Sequence, residues 1–79
     1  MSTSPLKNYG SAENPWLAPD GSVIACHEKL KVMNENLQEL RDVAMNALED
    51  AVLMGCSEDQ VKAVFGEIIS QLATDFQPR

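Results

Sequence analysis

The sequence contains little of what most active sites are built from. Its 79 residues include one histidine and two cysteines, with no CxxC, CxxCH or HExxH motif and no glycine-rich phosphate loop. A chain with a single histidine and no two cysteines at CxxC spacing lacks the ligand cluster of a metal site. Carboxylate neighbours such as Glu49-Asp50 do not converge on a pocket that would separate their pKa values. We therefore expect no enzyme activity, no cofactor and no metal.

Basic residues are scarce as well. Six Lys and Arg stand against 12 Asp and Glu, which gives a net charge of −6. Nucleic acids and anionic membranes recruit clustered Lys and Arg, so this balance argues against both as partners. No apolar run approaches the length of a membrane-spanning helix, and the first fifteen residues lack the apolar segment of a secretory signal. The expectation is an acidic cytoplasmic protein with reduced cysteines.

The chain begins with a polar segment that has few apolar anchors. Residues 1–13 are rich in Ser, Gly, Asn and Pro, which predicts a flexible segment ahead of one small helical domain over 14–79. Pro19-Asp20-Gly21 favours a turn, because Pro presets φ and Gly accepts a positive φ. Apolar pairs flank this turn, so we expect a short β-hairpin or tight loop anchored by Trp16.

Helical periodicity starts near Cys26. Apolar or small residues recur in alternating steps of three and four as far as Met54, with no Gly or Pro in between. This is the 3.5-residue spacing of a coiled-coil seam, and it predicts a helix over about 26–54. The apolar face is narrow as far as Leu40, but from Val43 onward the helix is apolar nearly all round. A helix of that kind is normally covered on two sides.

The stretch LMGCSEDQVKAVF, residues 53–65, predicts the end of one helix and the start of the next. Gly55 suits the left-handed residue that terminates a helix, and Ser57 and Gln60 have the spacing of a capping box. A second, shorter helix is predicted over about 58–76. The predicted fold class is therefore all-α, an antiparallel helical hairpin preceded by the short N-terminal turn.

A short second helix leaves apolar surface on the first, which predicts self-association. Small domains are commonly stabilised by oligomerisation when disulfides and metals are absent, and two hairpins would form a four-helix bundle. We expect a homodimer or tetramer. The alternative is that a different protein covers the apolar surface. The residues predicted at the oligomer interface are Leu30, Met33, Leu37, Leu40, Met45, Leu48 and Val52.

The predicted function is a non-enzymatic protein–protein interaction or regulatory module. The alternative hypothesis is a redox or metal sensor that uses Cys26, His27 and Cys56 across a dimer interface. A thiol near a helix N-terminus has a lowered pKa and is reactive. In an antiparallel dimer, Cys26 of one chain would approach Cys56 of the other.

Overall fold

The computed structural model describes residues 8–76, and these contain two helices and no strands. Helix α1 spans His27–Leu53 and helix α2 spans Glu58–Ser70, which confirms the all-α class and the helical hairpin. The chain forms two compact units, whose boundary between Asn34 and Glu35 falls within α1. We call residues 8–34 the N-terminal unit and residues 35–76 the hairpin unit. Residues 1–7 of the predicted flexible segment and residues 77–79 of the predicted domain lie outside the described residues.

The predicted turn at Pro19-Asp20-Gly21 is a tight loop with one antiparallel bridge, between Leu17 and Val23. Gly21 has a φ of +89°, and its N–H donates to the carbonyl oxygen of Ala18 at 2.9 Å. The flanking segments exchange too few hydrogen bonds to form strands. The sequence therefore located the loop correctly, and the loop replaces a full hairpin.

The carboxylate of Asp20 closes this loop from one side. It accepts hydrogen bonds from the Ser22 hydroxyl at 2.6 Å and from the Ser22 backbone N–H at 2.9 Å. These two donors, the hydroxyl first, lower the pKa of Asp20 because they stabilise its charged form. The loop is thus held by a local side-chain turn of the kind that Asp favours.

Residues 8–13 form a series of turns beside Trp16. The Gly10 N–H donates to the carbonyl oxygen of Asn14 at 2.7 Å, and Gly10 has a φ of +91°. A Cβ added at Gly10 would lie 3.4 Å from Leu30 Cδ2 and 3.5 Å from Trp16 Cδ1. The rings of Tyr9 and Trp16 are 5.1 Å apart. Trp16 is half-buried and anchors the N-terminal unit, as the sequence indicated.

Helix α1 ends in the Schellman motif that Gly55 predicts. The Gly55 N–H donates to the carbonyl of Val52 and the Cys56 N–H donates to the carbonyl of Ala51, both at 3.0 Å. These two bonds satisfy carbonyls that would otherwise lack a partner at the helix end. They require a left-handed residue at Gly55, whose φ is +98°. The chain therefore reverses direction at this glycine.

Helix α2 begins at the predicted cap. The Ser57 Oγ accepts a hydrogen bond from the Gln60 N–H at 3.2 Å, and Ser57 has the extended backbone of an N-cap residue. Among the described residues, the reciprocal bond from the Gln60 side chain to the Ser57 N–H does not form. Half of the predicted capping box is therefore present, and it is enough to start the helix.

Helix α2 ends at Ser70, six residues before the predicted end near Phe76. The Ser70 hydroxyl donates to the carbonyl of Glu67 at 2.9 Å, and Thr74 Oγ1 accepts from the Phe76 N–H at 3.0 Å. Side chains of this kind offer the backbone partners that compete with helical bonds. The apolar spacing continues past Ser70, but the helical backbone bonds end with those of the Gln71 and Leu72 N–H groups, and the Phe76 N–H is bonded to Thr74 instead.

Two glycines with opposite roles give a matched test of this architecture. We expect Gly55→Ala to lower the free energy of unfolding by about 1–2 kcal/mol, because alanine is strained at a positive φ. We expect Gly66→Ala to raise it by about 0.5–1 kcal/mol, because Gly66 lies within α2 and a Cβ there meets nothing within 4 Å. Urea titrations followed by circular dichroism measure both changes.

The Gly66 variant also reports on contacts between α2 and other molecules. Destabilisation by Gly66→Ala would mean that another molecule packs closely against this side of α2. No loss of stability on Gly55→Ala would contradict the role assigned to the left-handed residue.

Candidate interaction surfaces

No side chain among residues 8–76 is buried. Several large apolar side chains of the hairpin unit are about half exposed, among them Val43 at 62 % and Ile68 at 53 %. Monomeric proteins rarely leave continuous apolar surface of this kind in water. The candidate sites are therefore surfaces, and a concave apolar surface is found in each unit.

The first surface is a groove between the two helices of the hairpin unit, which we call the hairpin groove. It is a concavity of about 360 Å³. Its lining residues are Leu40, Val43, Ala44, Ala47, Phe65, Ile68 and Ile69. Every one of these side chains is apolar, so the groove offers a partner contact area without a charge or a side-chain hydrogen bond.

Helical spacing explains how the hairpin groove arises. Leu40, Val43, Ala44 and Ala47 follow one another at intervals of three, one and three residues, which places them on one side of α1. Phe65, Ile68 and Ile69 have the same relation on α2. The wall from α1 includes two alanines, whereas all three residues of the α2 wall are bulky. We call the α1 side of the groove, with its two small side chains, the low wall. We call the α2 side, with three large side chains, the high wall.

Acidic residues lie on the opposite side of α1. Glu35, Asp42 and Glu49 recur every seven residues, and at 100° per residue they lie about 140–180° from Ala44. All three are exposed. These three charges of α1 are thus turned away from the groove, as expected for a helix that has one face in water.

The second surface lies in the N-terminal unit, and we call it the tryptophan groove. It is a concavity of about 520 Å³. Its lining residues are Trp16, Leu17, Ile24, Glu28, Lys29, Val32 and Met33. Trp16 and Leu17 precede the loop at Pro19-Asp20-Gly21 and Ile24 follows it. The first turns of α1 supply the other four residues. Unlike the hairpin groove, it includes one acidic and one basic side chain.

The seven predicted interface residues do not all line the same groove. Leu40 lines the hairpin groove and Met33 lines the tryptophan groove. Met33 is half-buried, as are Leu30, Leu37 and Leu48. Met45 and Val52 are 50 % and 44 % exposed and line neither groove. Leu30 and Met33 belong to the N-terminal unit, and the other five residues belong to the hairpin unit.

Sequence reasoning missed several groove residues, chiefly Val43, Ile68 and Ile69. The signal was available, because the helix is apolar nearly all round from Val43 and α2 has a broad apolar stripe. An apolar stripe that is wider than the contact with one helix extends beyond that contact on both sides. The sequence does not say which of these two sides forms the concave surface.

Both cysteines are exposed. Cys26 is the N-cap of α1, since its carbonyl oxygen accepts from the Leu30 N–H at 3.0 Å. Backbone N–H groups of Lys29 and then Glu28 donate to its sulfur and lower the pKa of the Cys26 thiol. This is the microenvironment that the redox hypothesis requires at the first of its two cysteines.

The remaining predicted ligands are not assembled into a site. No group of three His, Cys, Asp or Glu side chains with the geometry of a metal site occurs within residues 8–76, and His27 is exposed. Within the same range, neither helix combines the length and the apolar character needed to cross a membrane. Comparisons with protein-family models, with curated proteins and with solved structures found no match to this chain. The two grooves and Cys26 are therefore the features of residues 8–76 that bear on function.

The lowered pKa of Cys26 gives a test in the folded chain. In a Cys56→Ser variant, we expect the alkylation rate of Cys26 to reach half its maximum at a lower pH when the chain is folded than when it is unfolded in urea. The reason is that only the folded helix N-terminus supplies the two N–H donors. The measurement is a pH series of iodoacetamide rates with and without urea.

The same shift has a defined sign for stability. A thiol whose pKa is lower in the folded state stabilises folding above its unfolded pKa, and the contribution is lost as the pH falls through the folded value. Identical midpoints for the folded and unfolded chains would contradict the hydrogen bonds assigned to Cys26.

Proposed function

We propose that this protein is a non-enzymatic, self-associating helical protein of the cytoplasm that serves as a protein–protein interaction or regulatory module. The observation that carries the proposal is that no side chain of residues 8–76 is buried, although both units have concave apolar surfaces. Such a chain gains most by covering those surfaces with another protein molecule.

The energetic argument rests on the size of the exposed apolar side chains. Burying one Leu, Ile or Val stabilises a structure by roughly 1.5–3 kcal/mol relative to leaving it in water. Leu40, Val43, Ile68 and Ile69 are each about half exposed or more. Covering these four alone recovers several kcal/mol, a sizeable part of the stability of a small domain. Self-association as a homodimer or tetramer covers these side chains within an assembly of closed symmetry.

A second candidate function is a thiol-based redox sensor. It is favoured by one observation: Cys26 is exposed at a helix N-terminus and has a lowered pKa. The thiolate is the reactive form of cysteine, and Cys56 is exposed as well. A disulfide between Cys26 of one chain and Cys56 of another would connect association to oxidation.

The mass of the protein in solution tests both candidates. We expect light scattering to give a mass of two or four chains, and the same mass with reductant, because apolar contact holds the assembly. A Cys26→Ser, Cys56→Ser variant is the control and should behave alike. Its mass shows whether the thiols take any part in association.

Two other outcomes would change the conclusion. A monomer at every accessible concentration would refute the proposed self-association. An assembly that dissociates in reductant and is absent from the double variant would establish the thiol-based candidate in its place.

A further inference from the structure

We propose that the hairpin groove is a two-fold interface, in which the hairpin groove of a second copy lies so that two hairpin units form a four-helix bundle. This inference rests on the proposed function, because it assigns the surface through which self-association occurs. It names the occupant of one of the two grooves and leaves the tryptophan groove outside the interface.

The chemistry of the groove favours a second copy over a charged partner. All seven lining residues are apolar, and Glu35, Asp42 and Glu49 lie on the opposite side of α1. A basic helix would need acidic residues along the groove to form ion pairs. Interfaces of permanent homodimers are the apolar class, and they resemble a domain core divided in two.

The unequal walls of the groove make it complementary to itself. Ala44 and Ala47 form a low region on α1, and Phe65, Ile68 and Ile69 form a high wall on α2. A two-fold axis along the groove sets the high wall of each copy against the low wall of the other. Large side chains opposite small ones interdigitate and fill the space between helices.

The groove exposes the apolar side chains that a stable interface needs at its centre. Leu40, Val43, Ile68 and Ile69 line it and are 49, 62, 53 and 50 % exposed. A stable interface buries about 800 Å² on each partner around an apolar core of this kind.

Three lysine substitutions on one turn of α1 test the assignment. Val43 is in the hairpin groove, Met45 is on the other flank of α1, and Asn46 is exposed. We expect Val43→Lys to raise the dissociation constant of the assembly about 100-fold or more, because it places a charge in each half of a dry interface. Met45→Lys and Asn46→Lys carry the same charge and should leave the constant within about threefold of the wild type. Sedimentation equilibrium over a dilution series measures all three.

The outcomes separate this inference from the proposed function. A wild-type monomer would refute both. A wild-type assembly that Val43→Lys does not weaken would refute the groove interface and leave self-association standing. An effect of Met45→Lys equal to or greater than that of Val43→Lys would overturn the inference in favour of the opposite flank. Selective loss of association in Val43→Lys, with wild-type helix content, supports it.

A milder change tests the interface when the lysine variant does not fold. In a Cys26→Ser, Cys56→Ser background, Val43→Cys keeps a small apolar side chain in the groove, and Asn46→Cys is the matched control. We expect a short bismaleimide to join two copies in several-fold higher yield at position 43 than at position 46. Equal yields at the two positions would overturn the inference.

Discussion

Two helices contact each other along a single line, and this geometric limit governs everything else about the chain. A side chain between two helices is covered on one side and remains open at the flanks, so Phe65, Val61 and Leu48 are only half-buried. A third or fourth helix is needed to close the flanks and make a core. The bundle proposed above would remove this limit, because helices seated in the hairpin groove would close its flanks.

The turn between the helices decides which residues form that groove. Gly55 and Ser57 end one helix and start the next within four residues, which leaves little freedom in how α2 returns along α1. The tight turn aligns Phe65 and Ile68 with the stretch of α1 that contains Leu40 and Ala44. A change in this short connection would alter the pairing of bulky and small residues. The local hydrogen bonds of the turn thus control a surface some distance from it.

Those parts of the fold that depend on neighbouring residues were predictable. Gly55 and Ser57 act through bonds to residues within five positions and have the predicted roles, and Gly21 has the predicted positive φ. Helix α2 ends six residues before its predicted end, because the apolar spacing extends past Ser70 and does not show where the backbone hydrogen bonds stop. The apolar sides of the two helices were predictable, but the residues of the groove were not. An apolar stripe on one helix shows which side is apolar and does not show what faces it.

The acidity of the chain is compatible with contact between two copies because of where the charges lie. In a bundle joined at the hairpin grooves, the stripe of Glu35, Asp42 and Glu49 is on the outer side of α1 in each copy. Each helix is about 10 Å across, so the two stripes are separated by roughly two helix diameters. The Debye length at physiological ionic strength is about 8 Å, and repulsion over that distance is largely screened. The net charge of −6 then keeps finished assemblies apart without opposing the apolar contact inside each one.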